Sequence, residues 1–581
     1  MTNSLLIKSK QKEVSEVRNS SAAIEPARFK NVDADKLRGG YYTPEPIAEW
    51  LCDWAIRTKD DTILEPSSGD GVFVGMAARK LMKLGVESKK ILEQIKAVEL
   101  NEVEAKKVSS RLSEILRKPV NGAVRQADFF EVWPKIKQKP VDCVIGNPPF
   151  IRYQTFPEES RALAMAIMEH SGLKPNRLTN IWVPFVVAAM ECLKPGGRLA
   201  MVLPAELLQV NYAAQLRSFL TNRFKRVDLV ACNDLFFVGA QQEVVLILAD
   251  GALAVPDIKN TCAVTLTPME SVSEIVKAKP EMLIATASPK KVSHDSEKWL
   301  KYFLSAREIS FMRRLRDSES VTCLSTYASV EVGVVTGKNE FFVVNKSIVE
   351  QYQLEKHVLP LVGRSSHLAG AIISKKEWKA LTESNERVHL FTVDPAVNHL
   401  LSPLVKSYIK YGEENKFQTG YKCSIREPWY SVPSLWVPDA FFFRQIYDFP
   451  RAVLNTAKGT STDTIHRMRC HAPAKKVIAS LYTHLTAASA EIEGRSYGGG
   501  VLELEPNEAR RLLMPRDLDG AIPIEECDRL IRAGKLQDVL DSNDKEILID
   551  KVGLTQNECK MLRQIWEKMR DRRISRKKTQ K

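Results

Sequence analysis

Residues 141–150 read VDCVIGNPPF. The first six form an apolar run of the buried-strand type that ends at Gly146, and Asn147, Pro148, Pro149 and Phe150 follow at its carboxyl end. An α/β sheet presents its ligands at the carboxyl ends of its strands. The two prolines fix φ and push the residues before them out of the α region, so the carbonyls of this turn stay available as acceptors and are not spent on a helix. Taken alone, the tetrapeptide also reads as a tight turn with an apolar plug.

Around this strand, short β-rich runs recur: TIL at 62, IKAVE at 95, AVRQ at 123, RLAMVL at 198, VDLVA at 227 and EVVLIL at 243, with amphipathic stretches between most of them. The alternation specifies right-handed crossovers and a mainly parallel sheet covered on both faces, hence an α/β fold of seven strands. Only Cys232–Gln242 separates the last two runs, too short for a parallel crossover, so the final strand is expected to be antiparallel. LKPGG at 193–197 is expected to end a helix with a Pro-Gly-Gly turn that feeds the next strand.

The chain has 581 residues, enough for two large domains, and its 44% apolar and 27% charged composition is that of a globular protein. A formal charge of +14 points to a polyanionic partner, nucleic acid first. Arg563–Lys581 holds nine Lys and Arg against two acids, which reads as a solvated basic tail. The ten cysteines show neither CxxC pairs nor a disulfide framework, and the polar Lys-rich start lacks an apolar signal core; both suit a reduced, cytoplasmic compartment with no membrane role. His466, Cys470 and His471 lack a second ligand cluster, so no metal is expected. No Asp-Glu-x-Lys nuclease constellation is recognised either.

Upstream of residue 141, ILEPSSGDGVF at 63–73 takes a strand through a Gly-containing loop into a helix starting near Val72, with small residues that let a ligand approach the backbone. Glu99 ends the second strand, where a carboxylate can bind two ribose hydroxyls. Asp128 and Phe129 end the third, where they can take an exocyclic amine and pack along its ring. Each carboxylate is equally readable as a helix N-cap. At the fourth strand, the Asn147 side-chain oxygen and the Pro148 carbonyl can hold the two hydrogens of an aromatic amine whose lone pair is otherwise delocalised, and Phe150 offers a stacking face.

In this order the motifs resemble those of the gamma-class amino-group DNA methyltransferases, whose adenine-N6 members carry Asn-Pro-Pro-aromatic. The resemblance is close over 40–150 and looser to about 250. It implies a Rossmann-like sheet and S-adenosyl-L-methionine as cofactor. Glu65 and Gly71 would belong to the cofactor loop, Glu99 to the ribose, Asp128 and Phe129 to the cofactor adenine, and Asn147–Phe150 to the target base. YYTPEPIAEWLCDWA resembles the element that precedes the Gly loop in that family: Thr43 would be its N-cap, Pro44 its first helical residue, and Tyr42, Thr43 and Pro44 would line the methionine end of the cofactor. LFFVGAQQEVVLIL resembles a late strand with a Phe beside the target base, Phe236 in preference to Phe237.

The second half, with VGVVTGKNEFFVV and GRSYGGGVLELEP, looks like the α+β target-recognition region of adenine methyltransferases in type II restriction-modification systems. Lys338, Arg426, Trp429, Tyr430, Arg444, Arg467, Arg469 and Tyr497 are candidate phosphate or base contacts. The expected division is a basic tail at 1–30, a methyltransferase domain at 31–255, a linker at 256–320, a recognition domain at 321–520 and a helical segment with a basic tail at 521–581. The implied activity is N6-adenine methylation of double-stranded DNA with base flipping, paired with a separate restriction endonuclease. Asn-Pro-Pro-aromatic also serves RNA-guanine and protein-glutamine methyltransferases of the same fold, and a non-catalytic DNA-binding subunit is a further alternative.

Overall fold

The structure is a computed structural model that describes residues 42–575 apart from 177–178, 233, 235–242, 291, 295–296 and 498. The expected tail at 1–30, Phe236 and Phe237 lie outside the described residues.

Eight strands form the first sheet: β1 (Ile63–Glu65), β2 (Ile95–Glu99), β3 (Val124–Gln126), β4 (Val141–Gly146), β5 (Leu193–Pro204), β6 (Phe224–Cys232), β7 (Val244–Ala252) and β8 (Ala263–Met269), in the order β3-β2-β1-β4-β5-β7-β6-β8. The first five in space are parallel, β7 is antiparallel to both β5 and β6, and β8 runs parallel to β6 at the edge. The reversed strand is the EVVLIL run, as expected. The expected count of seven is corrected to eight, because the stretch read as a linker supplies β8. The same stretch covers the helix α1 (Glu45–Ala55), whose Trp50 Nε1 donates to the Ala278 carbonyl at 2.8 Å.

Chain order reverses between β1 and β4, and this switch point opens a crevice beyond their carboxyl ends. Alternate strand residues feed two cores. Ile63, Ile145 and Ala200 pack under α1 and α2 (Val72–Lys83), whereas Leu64, Val144 and Met201 pack under α5 (Trp182–Met190). Between them in sequence lie α3 (Glu102–Leu116) and α4 (Phe129–Lys137). Asn101 caps α3 by accepting from the Val103 and Glu104 amides at 2.9 and 3.2 Å.

Two local expectations are corrected. The N-cap of α1 is Pro44 rather than Thr43, which makes no capping bond, and the first helical residue is Glu45. LKPGG is not a turn before a strand but the start of β5. Leu193 pairs with Val141 and Arg198 with Cys143, so four residues of β5 bulge out against one of β4.

The second half is α+β. One five-stranded sheet orders its strands 328–331, 465–470, 440–443, 452–455, 372–373, and a four-stranded sheet orders 343–344, 389–391, 358–362, 460–461. Its main core is continuous with the core under α5, whereas the aromatic cluster around Phe341, Phe391 and Tyr408 packs separately. The last described helix, α6 (Gln556–Ser575), corrects the reading of Arg563–Lys581 as a solvated tail: through Ser575 it is packed, and Arg573 is 1% exposed. Its guanidinium pairs with Glu491, Nε to Oε2 at 3.1 Å, and donates to the Gly500 carbonyl. Composition counts such charges as free; the fold buries one against a carboxylate.

Candidate active site

A cavity of about 590 Å³ opens at the carboxyl ends of β1 to β4. Its floor begins with Glu65, the last residue of β1, which is 2% exposed and whose Oε2 accepts from the Val74 amide in the first turn of α2 at 3.1 Å. Burial pushes this carboxyl well above the ordinary range, the charge of Asp70 adds to the rise and the Val74 N–H opposes it. Such a group is costly to ionise until a cationic ligand arrives.

Two glycines are required by conformation. Gly71 caps α2 at φ +80°, and a Cβ there would lie 2.9 Å from the Val108 Cα of α3. Gly71 thus shapes the loop by letting two helices close, and it does not itself line the cavity. Gly146, at φ +144°, turns β4 beside Glu65, where a Cβ would meet the Glu65 Cγ at 3.4 Å. The turn delivers Asn147 to the cavity wall.

Glu99 stitches the loop to β2. Its Oε2 accepts from the Gly69 amide at 2.8 Å and its Oε1 from the Asn101 amide at 2.9 Å. Burial raises this carboxyl too, against those backbone donors. Asp128 is an N-cap with one oxygen to spare. It lines the cavity; its Oδ1 caps α4, accepting from the Phe130 amide at 2.8 Å, while its Oδ2 is buried without a hydrogen-bond partner. Thr43, which lines the same cavity, likewise has its Oγ1 buried and unpartnered. A buried acceptor left unmade is expensive, and a ligand amine at Asp128 would satisfy it. The donor set therefore fits S-adenosyl-L-methionine: carboxylates for a diol, an amine and a positive charge, with aromatic walls for a purine.

Of the expected residues, Tyr42, Thr43, Glu65, Glu99, Asp128, Phe129, Asn147 and Pro149 line the cavity together. Pro44, Gly71, Pro148 and Phe150 do not. Pro148 is buried, and the half-buried Phe150 ring abuts the cores on both sides of the sheet. Sequence reasoning missed Leu100, Ile151, Phe156 and Phe185, all on the wall. Phe185 lies parallel to Phe129 with centroids 5.6 Å apart. Leu100 follows Glu99 directly and was accessible to motif reading; Phe156 and Phe185 arrive from later elements that only the tertiary structure folds back.

Several of the candidate DNA contacts are engaged within the protein. Arg467 is 3% exposed, donates to the Val332 and Ser434 carbonyls and lies 4.6 Å from the Trp436 ring centroid. Arg444 pairs with Glu503 and Glu505, and Arg426 donates to the Val335 and Thr336 carbonyls. Trp429 packs on Phe341, and Tyr430 is buried and bonded to Asn398. Arg469 is exposed on the other contact of Trp436, also at 4.6 Å, and Lys338 is half-buried over Phe417. Tyr497 lies in a short strand, and its side chain is outside the described set. Among the described residues no group of three His, Cys, Asp or Glu is placed to hold a metal, and no helix is long and apolar enough to cross a membrane.

The family model of the Eco57I restriction-modification methylase matches residues 70–236, and that of the C-terminal domain of the type II methyltransferase M.Eco57I matches 296–548. The type II methyltransferase M.AccI of Acinetobacter calcoaceticus is 24% identical over 92% of this chain and 96% of its own length. M.BstVI of Geobacillus stearothermophilus is 23% identical over 65% of this chain and 71% of its own length. Among solved structures, the type IIL restriction-modification enzyme MmeI in complex with DNA shares the fold with a TM-score of 0.59 at 14% identity, covering 93% of this chain and 80% of that one.

Proposed function

This chain belongs to the type II restriction-modification methyltransferases, DNA methyltransferases that use S-adenosyl-L-methionine, and from that premise we propose that it methylates N6 of adenine in double-stranded DNA. The observation that carries the reading is the tip of β4. Gly146 swings Asn147 into the wall of a cavity that also presents Glu65, Glu99 and Asp128.

When bound, the cofactor supplies a methyl group activated on a sulfonium. The chain's own residues do the rest. Glu99 accepts from a ribose diol, Asp128 Oδ2 from an adenine amine, and Phe129, Phe185 and Leu100 enclose the ring. An N6 amine inside the duplex is out of reach, so the target adenine is turned out of the stack. The Asn147 side-chain oxygen and the Pro148 carbonyl accept its two N–H groups, which localises the lone pair on nitrogen where positive charge will grow. Phe150 stacks on the base, and Phe236 is proposed as a second stacking partner. The second half supplies target recognition, and the methyl mark protects DNA from a cognate endonuclease.

Incubation with duplex DNA and methyl-labelled cofactor, followed by nucleoside mass spectrometry, tests the assignment. Label is expected in N6-methyl-2′-deoxyadenosine. Label in N4-methylcytosine, in RNA or in protein glutamine refutes it. Asn147→Ala is expected to retain cofactor binding and lose at least ~100-fold in transfer rate, the scale for removing a charge-stabilising contact. Parental rates in that variant would remove Asn147 from the chemistry.

A further inference from the structure

The sheet edge that bears Asn147 carries a second built feature. β4 and β5 are parallel neighbours with Gly146 opposite Met201, so the segment after Pro204 rises from the same edge. Antiparallel β7 begins opposite Pro204 at Val244, which puts Glu243 at this edge too. The short helix Glu206–Gln209 is held by Arg217, a buried guanidinium whose Nη1 donates to the Leu207 and Val210 carbonyls at 3.0 and 3.2 Å. Burial brings Arg217 down to about 10. A cation taken out of water to hold a turn marks that turn as fixed.

What the turn presents is Gln209, 4% exposed. Its Nε2 donates to the Ser496 carbonyl at 2.8 Å and its Oε1 accepts from the Ser496 amide at 2.7 Å. One side chain thus makes the reciprocal pair of bonds that neighbouring antiparallel strands exchange. Ser496 is the middle residue of the strand Arg495–Tyr497, which pairs with Val501–Glu503 in the second half. A second tie lies beside it. Arg572 of α6 pairs with Glu243 at 3.2 Å and sits 3.4 Å from the Phe303 ring centroid, while the adjacent Arg573 holds the Gly500 carbonyl. Neighbouring residues of one helix therefore grip both halves.

We propose that Gln209 and Arg572 are positioning residues for methyl transfer: they lock the 495–503 hairpin to the Asn147 edge, so that a duplex held by the second half meets the acceptor turn in fixed register. The inference rests on the DNA methyltransferase reading above. A misplacement of about 1 Å at the reacting atoms can cost about 10²-fold in rate.

Gln209→Met keeps length and removes both bonds, whereas Gln209→Glu keeps the acceptor for the Ser496 amide and sets an oxygen against the Ser496 carbonyl. Steady-state kinetics on duplex DNA should show kcat reduced about 10- to 100-fold in Gln209→Met, with DNA KM and cofactor affinity within about twofold of the parent. Hydrogen exchange should rise at 495–497 and stay parental at 63–75. Glu243→Gln, which loosens the other tie, should reproduce the kcat loss and stands in if Gln209→Met folds poorly. Parental kcat in both variants, or a change confined to KM, overturns the positioning role. A parent chain that binds DNA and transfers no methyl refutes the function instead, so the two failures are distinct.

Discussion

Asp128→Asn separates the two duties that one carboxylate performs. Asn and Asp are equivalent N-caps, so the bond from the Phe130 amide to Oδ1 at 2.8 Å survives, and unfolding free energy should change by less than ~0.5 kcal/mol. The other oxygen, buried and unpartnered, becomes an NH₂ that would meet the proposed ligand amine donor to donor. A hydrogen bond to a charged acceptor contributes ~1.5–3 kcal/mol, so cofactor affinity should fall about 10- to 150-fold. Calorimetric titration with S-adenosylhomocysteine, which shares the adenosine and cannot turn over, reads the loss directly. Asp128→Ala removes the cap as well and should cost a further ~1 kcal/mol in thermal unfolding. If Asp128→Asn binds within about threefold of the parent, Oδ2 is no ligand acceptor and the residue is a cap alone.

Glu65 offers a test in pH. Its folded carboxyl lies well above the ordinary 4.5 through burial, and a raised folded value gives stability that is present below the unfolded value and lost as pH rises through the folded one. Glu65→Gln should therefore flatten the decline of Tm above pH 4.5 and coincide with the parent in slope below it; parallel curves throughout would refute the assignment. Arg573→Ala leaves the buried Glu491 carboxylate without its guanidinium and should cost ~3–5 kcal/mol in urea unfolding, while the Arg573→Met/Glu491→Leu pair should recover most of it. A loss below ~1 kcal/mol would return α6 to the status of a solvated tail.

The strands β2 and β4 were legible to the residue because each is a buried apolar run closed by a punctuating residue. The strand within the expected linker is hidden for the opposite reason: Ala263–Met269 lies in a polar, Pro- and Lys-rich neighbourhood, and its strand character comes from pairing with β6, a partner that composition does not show. Likewise Thr43 has the residue type of a cap, but the helix begins one residue later, with Pro44 as its N-cap, and the Thr43 hydroxyl is left buried without a partner. The candidate recognition residues are charged or aromatic, and the same properties suit Arg467 and Trp429 to internal carbonyls and rings.

Sequence alone determined the α/β class, the order of the motifs and the sharp turn at Asn147, because each is written in short local runs and in the order in which the chain presents them. Only the tertiary structure decided that Phe156 and Phe185 complete the cavity, that Asp128 has one oxygen spent and one free, and that Gln209 reaches Ser496 across 287 positions of chain. Those facts depend on contacts between elements distant in sequence, and local pattern holds no information about which distant groups will share a wall.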